Sequence, residues 1–306
     1  MDPQTLSLNF WGTRGLISAP NAANAIFGGN TSCIQLTYDK HLVVFDTGFG
    51  ASNLGESLMP RITTGGEALE VHIFYTNFYW DHVQGLPFFH PIYFPKSTLN
   101  IYSPSPVEHM HSSLDVLFDG SYSPFAGIAS MPSRINLRQL NRPFELDGLR
   151  ISFAPTSGVR HDNNSAPEAG CAYRIENMVS GEVIAIVTGH EAGDKKTGPL
   201  AEANSRIIEF VRNADILVHD AQFTAKEYRS RIGWGHSSME QAISNGFAGG
   251  VGRLLLTHHD PRRTDQDLQK LHRKLSQKSY DGVPFEFARE EHVYQVAARQ
   301  RLARAG

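Results

Sequence analysis

The order of short apolar segments limits the folds that are open to this chain. The first third carries segments with strand character joined by Gly-rich turns, such as "LSLNFWG", "SCIQLTYD", "HLVVFDTG" and "EVHIFYTN". Strands return in "LRISFAP", "GCAYRIE" and "EVIAIVTG", and two helix-then-strand units follow, ending in "ADILVHD" and "RLLLTHH". Two comparable halves of this kind predict an α/β protein in which two sheets pack together with helices outside them.

Composition narrows the class of protein. The chain has 306 residues, of which 41% are hydrophobic and 19% charged, which is typical of a globular protein, and we expect one domain over residues 1–306. The net charge of −3 gives no general basic surface, so we expect no extended nucleic acid as a partner. The chain has only two cysteines, and its N-terminal segment "MDPQTLSLNFWGTRG" has no apolar core typical of a leader peptide. These features predict a cytoplasmic protein without a membrane partner.

Polar clusters follow the apolar strands at four places. Asp81 and His82 come after "HIFYTN", Asp220 ends "ADILVHD", His258 follows "RLLLT", and His161 lies in the loop after "ISFAP". Each residue alone is more often a turn or cap residue than a ligand. Together they are a set of imidazoles and carboxylates, the usual ligands of zinc, iron or manganese.

Eight motifs occur in the order and spacing of a known family. They are "WGTRG", "FGGNTSC", "VVFDTG", "TNFYWDHVQGLPFF", "GCAYRIE", "LVHDAQFT", "GWGHSSMEQA" and "LLLTHHDP". The chain resembles the metallo-β-lactamase superfamily over residues 8 to 262, and within it the phosphodiesterase-like branch of ribonuclease Z and the small cyclic phosphodiesterases. The resemblance implies an αββα sandwich of two mixed β-sheets with metal ions bound between them.

The resemblance also implies a set of metal ligands. Family members have a His-x-His-x-Asp-His motif at residues 77 to 82 and bind two metals. One implied site, with one divalent Zn, Mn or Fe ion, is complete in Asp81, His82, Asp220 and His258. The other would use Asn77, Tyr79, His161 and the shared Asp220, which leaves the second metal in doubt.

Asn77 and Tyr79 are altered ligand positions. An amide oxygen is a poor ligand, and a phenol with an ordinary pKa of about 10 must lose a proton before it binds a metal well. We favour Tyr79 as a residue that fills the space left by a lost metal ion, ahead of a stacking surface for a base or a ligand to ferric iron. The insertion "RHDNNSAPEAG" puts His161 in question, and Gly189 replaces an aspartate that relatives often have.

The motif "GHSSMEQA" offers a further functional residue. His236 precedes a helix whose Ser237 and Glu240 fit a capping-box pattern, and a helix N-terminus attracts anions. The resemblance implies that His236 contacts a phosphate or acts as a general acid, and that Asp220 also serves catalysis. A plain helix cap is the alternative for His236.

Two functions remain open from the sequence. The first is a phosphodiesterase-like protein with one degraded metal site, which binds a nucleotide or small phosphoester with weak or no hydrolysis. The alternative is an active metal-dependent phosphodiesterase that uses one metal or two unusually ligated metals. A homodimer remains open as well.

Overall fold

Two seven-stranded sheets form the centre of the protein, whose computed structural model describes residues 5–121, 125–158, 170–194, 197–277 and 283–296. The elements of the first half are β1 (Ser7–Gly12), β2 (Cys33–Tyr38), β3 (His41–Phe45), α1 (Gly50–Thr63), β4 (Glu70–Phe74), α2 (Trp80–Val83), β5 (Thr98–Ser103), α3 (Val107–Asp115) and β6 (Arg134–Gln139). Those of the second half are β7 (Phe144–Leu146), β8 (Leu149–Pro155), β9 (Cys171–Asn177), β10 (Val183–Val187), α4 (Pro199–Phe210), β11 (Ile216–Asp220), α5 (Ala225–Tyr228), α6 (Met239–Ala248), β12 (Arg253–Thr257), α7 (Asp265–Ser276), β13 (Phe285–Phe287) and β14 (Val293–Gln295).

Both sheets are mixed. The first has the order β14-β1-β2-β3-β4-β5-β6, and the second has the order β13-β12-β11-β10-β9-β8-β7. In the first sheet β3 to β6 run parallel, and in the second β10 to β13 run parallel. Among the strands of the described residues, only β14 leaves its half of the chain: it pairs with β1 and brings residues 293–295 back to the first sheet.

Three apolar layers hold the sandwich together. The central layer contains side chains of both sheets, including Phe10, Phe45, Tyr173 and Val218. The outer face of the first sheet packs under α1 and α3, and the outer face of the second sheet packs under α4, α6 and α7. This arrangement confirms the predicted αββα sandwich. Apolar burial on both faces of each sheet explains why its parallel strands are almost continuously hydrophobic.

The parallel strands deliver the polar clusters to one end of the sandwich. Phe45 pairs with Phe74 at the ends of β3 and β4, and Asp220 pairs with Thr257 at the ends of β11 and β12. The loops that leave these carboxyl ends therefore start side by side. Loops on a rigid scaffold of this kind are common places for binding residues.

Helix α1 was not expected from the sequence. Its Gly50, Gly55 and Pro60 are weak helix formers and obscure the pattern, yet Leu54, Leu58 and Ile62 lie buried at helical spacing along one face. Tertiary burial of this face stabilises the helix despite its composition. No helix in the described part of the chain is both long and apolar enough to span a bilayer.

Candidate metal centre

Three of the predicted metal ligands lie together in the described part of the chain. Asp81 and His82 come from α2, and His258 comes from the loop after β12. One ligand atom of each lies within 4.8 Å of the other two, and all three residues are buried. The closest pair is His258 Nε2 and Asp81 Oδ2, at 2.9 Å, and His82 Nε2 lies 3.7 Å from the same oxygen. We refer to these three residues as the metal triad.

The metal triad has the chemistry of a metal centre. Two imidazole nitrogens and one carboxylate oxygen match the three protein ligands of a catalytic zinc site, which keeps a fourth position open. His258 also has a buried Nδ1 with no hydrogen-bond partner among the described residues. The residues present therefore fit a single divalent ion of the zinc, manganese or iron type.

Asp46 fixes the orientation of the His82 ring. Its Oδ2 lies 2.8 Å from His82 Nδ1, and its Oδ1 accepts the backbone N–H of Thr76 at 2.8 Å. Because a carboxylate can only accept, the proton belongs on Nδ1, and Nε2 faces the metal triad. Asp46 follows β3 directly and Thr76 lies just past the end of the neighbouring β4, so the two strand ends bring them together.

The charges of the metal triad are strongly coupled. Burial lowers the pKa of His82, but the carboxylates of Asp46 and Asp81 outweigh it and raise that pKa to about 9. Burial alone would raise the pKa of Asp81, yet His82 and His258 hold it well below its usual range. Burial, assisted by His236, lowers the pKa of His258. The carboxylate is therefore ready to bind a cation, whereas His82 carries a proton that a metal ion must displace.

The loop after β1 completes the wall of this centre. A Cβ at Gly15 would lie 2.2 Å from the His258 ring, and the backbone N–H of Leu16 donates to Asp81 Oδ2 at 2.8 Å. His258 itself has a φ of 60°, which is uncommon for a residue other than glycine. Sequence reasoning missed Gly15. The neighbouring Arg14 is buried, and its guanidinium donates to the backbone carbonyls of Gly28 and Arg263.

Asp220 lies beside the metal triad rather than among its three ligand atoms. Its Oδ2 lies 3.0 Å from His236 Nδ1, and the backbone N–H of Ser237 donates to the same oxygen at 3.3 Å. Burial would raise its pKa, but His219 and His236 hold that pKa well below its usual range. The role of Asp220 as a shared ligand or catalytic residue stays a prediction.

His236 links Asp220 to the metal triad. Its ring stacks on that of His258, with centroids 4.4 Å apart and planes inclined by 27°.

The capping box lies one residue later than the sequence suggested, since Ser238 and Gln241 form it at the start of α6. Ser237 is unavailable as a cap because its hydroxyl donates to the carbonyl of His190. The assignment of Ser237 and Glu240 as the capping pair was therefore wrong.

Glu191 is a site-supporting residue that sequence reasoning did not assign. Its buried carboxylate accepts the Tyr228 hydroxyl at 2.7 Å and the backbone N–H groups of Gly233 and Gly235 at 2.9 and 3.1 Å. These bonds hold the loop that carries His236. The available sequence signal was a glutamate just past the end of β10, in "VTGHEAGD".

The two altered positions have other partners. Asn77 is buried, and its Oδ1 accepts the backbone N–H of Tyr79 at 2.9 Å, which forms the turn before α2. A Cβ on Gly189 would lie 3.3 Å from Asn77 Nδ2, so Gly189 faces the Asn77 amide. Tyr79 is half-buried at the N-terminal boundary of α2. His161, the remaining predicted ligand, lies outside the described residues.

A family model matches most of the chain. The model of the β-lactamase superfamily domain matches residues 41–259, which include the whole metal triad. The chain belongs to the β-lactamase superfamily. The family resemblance predicted from the eight motifs is thereby confirmed.

Individual relatives are similar over most of their length. Ribonuclease Z of Thermoplasma acidophilum is 28% identical over 297 residues, covering 89% of this chain and 92% of the relative. The metallo-β-lactamase fold protein YhfI from Bacillus subtilis superimposes with a TM-score of 0.62 at 18% identity, covering 95% of this chain and 99% of that one. Human tRNase Z, short form, gives a TM-score of 0.61 at 16% identity, covering 95% and 99% of the two chains.

These relatives correct one prediction. The low net charge led us to expect no extended nucleic acid as a partner, but a relative that matches 89% of this chain is a ribonuclease Z. That expectation was wrong. Net charge reports on the whole surface, whereas a phosphate backbone can be held by a few local groups.

Proposed function

We propose that this β-lactamase superfamily protein binds phosphodiesters at a single metal ion held by the metal triad and hydrolyses them weakly or not at all. One observation carries the proposal. The metal triad offers three good ligands, whereas Asn77, at an altered position, uses its side-chain oxygen to accept the N–H of Tyr79. The geometry favours one metal ion over two. RNA, as in the ribonuclease relatives, and a small nucleotide are both candidate sources of the phosphodiester.

The chain's own residues supply the rest of the binding chemistry. When bound, a divalent ion would act as a Lewis acid on a phosphoryl oxygen. Asp46 fixes His82 Nδ1–H, and Asp220 accepts from His236 Nδ1, which leaves the other nitrogen of His236 to meet the phosphodiester. The stack of His236 on His258 places that nitrogen's ring beside the metal triad.

The alternative is an active phosphodiesterase, and His236 is the observation that favours it. A histidine that donates to a buried carboxylate can deliver a proton to a leaving group, as a general acid does. The pair formed by His236 and Asp220 has this geometry at 3.0 Å. This alternative would also require a second metal site. Among the described residues, Asn77 offers that site only an amide oxygen, which already accepts the N–H of Tyr79.

The double substitution Asn77→His and Tyr79→His tests the proposal. If these positions silence the site, the variant gains metal per chain and hydrolyses bis-p-nitrophenyl phosphate faster than the natural protein. Asn77→Ser is the matched control, because a serine can still accept the N–H of residue 79 without adding a strong ligand. A double variant that folds but gains neither metal nor turnover contradicts the proposal.

A further inference from the structure

A cavity of about 530 Å³ lies next to the altered positions. Its lining joins the loops after β4 and β5 to the end of β8 and the start of β9, so it sits between the two sheets. Thr76 lines the cavity, and its hydroxyl lies 3.3 Å from His82 Nδ1. The cavity is therefore separated from the metal triad by one side-chain contact.

The walls of the cavity are mainly apolar and aromatic. Phe78 and Tyr79 line one side, Phe153 lines the side that belongs to the second sheet, and His109 lies at the α3 wall. Phe78 is held in place by Tyr75, with ring centroids 5.1 Å apart, and by an edge contact with His109 at 5.5 Å. A preformed cavity with aromatic walls is suited to an aromatic ring.

Polar groups at the same cavity point to a heteroaromatic ligand. Ser103 and Ser105 provide hydroxyls at the end of β5, and Asn77 provides an amide. No Asp, Glu, Lys or Arg occurs among the lining residues of the described chain. This lining disfavours a charged group inside the cavity and favours a neutral ring that carries hydrogen-bonding edges.

We propose that this cavity, which we call the base pocket, binds a nucleobase of the ligand whose phosphate lies at the metal triad. The inference rests on the proposed function, since it names the group attached to the bound phosphodiester. Phe78 and Phe153 stack on or flank the base, and the hydroxyls of Ser103 and Ser105 meet its edge. The altered Tyr79 then forms part of the wall of a ligand pocket.

Two ligands that differ by the base test the inference on the full-length protein. Adenosine 5′-monophosphate carries base and phosphate, whereas ribose 5-phosphate carries the phosphate alone, and calorimetry gives both affinities. Base stacking on an aromatic side chain corresponds to about 5- to 150-fold in affinity. We expect adenosine 5′-monophosphate to bind tighter than ribose 5-phosphate by a factor in this range.

Two variants localise the effect. Ser105→Trp fills the base pocket, and Phe153→Ala removes one wall. Each variant should reduce the affinity for adenosine 5′-monophosphate to that for ribose 5-phosphate. The affinity for ribose 5-phosphate itself should not change. Phe88→Ala is the matched control, since Phe88 is 52% exposed and does not line the cavity. Phe153 also packs on the central layer, so Ser105→Trp keeps the test valid if Phe153→Ala does not fold.

The outcomes separate the two proposals. Equal affinity for both ligands, or unchanged adenosine 5′-monophosphate binding in Ser105→Trp, overturns the base pocket and leaves the phosphate site intact. Failure of both ribose 5-phosphate and the diester bis-p-nitrophenyl phosphate to bind metal-loaded protein overturns the proposed function itself. A single-stranded RNA hexamer that binds tighter than the mononucleotide and is weakened by Ser105→Trp identifies RNA as the source of the base. A hexamer that binds no tighter identifies a small nucleotide.

Discussion

Gly15 lies against the His258 ring so closely that a single added carbon, the Cβ of an alanine, would sit 2.2 Å from its atoms. The same loop donates the Leu16 N–H to Asp81. A backbone segment far from the metal triad in sequence therefore sets the positions of two of its three ligands.

Gly15→Ala should lower metal affinity at least about ten-fold, because His258 must move and ligand geometry controls binding. Gly120→Ala is the control, since its Cβ would meet only ordinary contacts, the nearest at 3.7 Å. Competition with a metal-chelating dye measures both variants. Equal affinities in the two proteins would show that the position of His258 does not matter for metal binding.

Asp46→Asn should reduce metal affinity by about 10- to 100-fold, the usual effect of changing the partner of a ligating histidine. The amide can still accept from His82 Nδ1, but it removes the charge that raises the His82 pKa. The same chelator competition applies, with the exposed Asp39→Asn as control. We also expect the His82 pKa to fall, as followed by NMR titration, and an unchanged pKa would refute this assignment.

Metal uptake should release a proton and become tighter as the pH rises. His82 has a folded pKa raised to about 9, so below that pH a metal ion must displace its proton, and affinity should rise about ten-fold per pH unit. In the metal-free protein, by contrast, a rise in pH lowers the free energy of unfolding. The stabilisation from protonated His82 is fully present below its unfolded pKa of about 6.5 and is lost as the pH rises through about 9. Calorimetry in buffers of different ionisation enthalpy counts the protons, and a count of zero at pH 7.5 contradicts the prediction.

Glu191→Gln should loosen the loop before His236 while leaving the metal triad intact. A glutamine has one acceptor oxygen in place of two, so at least one buried donor among Tyr228, Gly233 and Gly235 loses its partner, at a cost of about 1–3 kcal/mol. Thermal unfolding and hydrogen exchange of residues 229–236 measure this effect. Ribose 5-phosphate should bind more weakly with metal affinity unchanged, whereas exposed Glu202→Gln should change neither.

The fold was predictable because it depends on pattern. Apolar runs between turn residues predict strands such as β2, β3 and β11, and the carboxyl ends of neighbouring parallel strands must lie at the same edge of a sheet. The meeting of Asp81, His82 and His258 follows from that edge. Helix α1 was not predicted because its glycines and proline disfavour a helix. The tertiary burial that stabilises it cannot be read from the sequence.

The finer arrangement of the centre depends on side-chain and backbone angles that no pattern contains. Asp220 lies at a strand end as expected, but its carboxylate is hydrogen-bonded to His236. The hydroxyl of Ser237 donates to the carbonyl of His190, so Ser238 caps the helix in its place. The close approach of Gly15 depends on a backbone contact between distant loops. The single domain, the cytoplasmic location and the role of His161 stay predictions.

Metal content per chain tests the one-metal account most directly. Elemental analysis of protein purified without added metal, with bis-p-nitrophenyl phosphate hydrolysis measured on the same sample, gives stoichiometry and turnover together. We predict no more than one equivalent of metal and little or no turnover. Two equivalents with clear turnover would show that Asn77 and Tyr79 are working ligands, and would contradict the account.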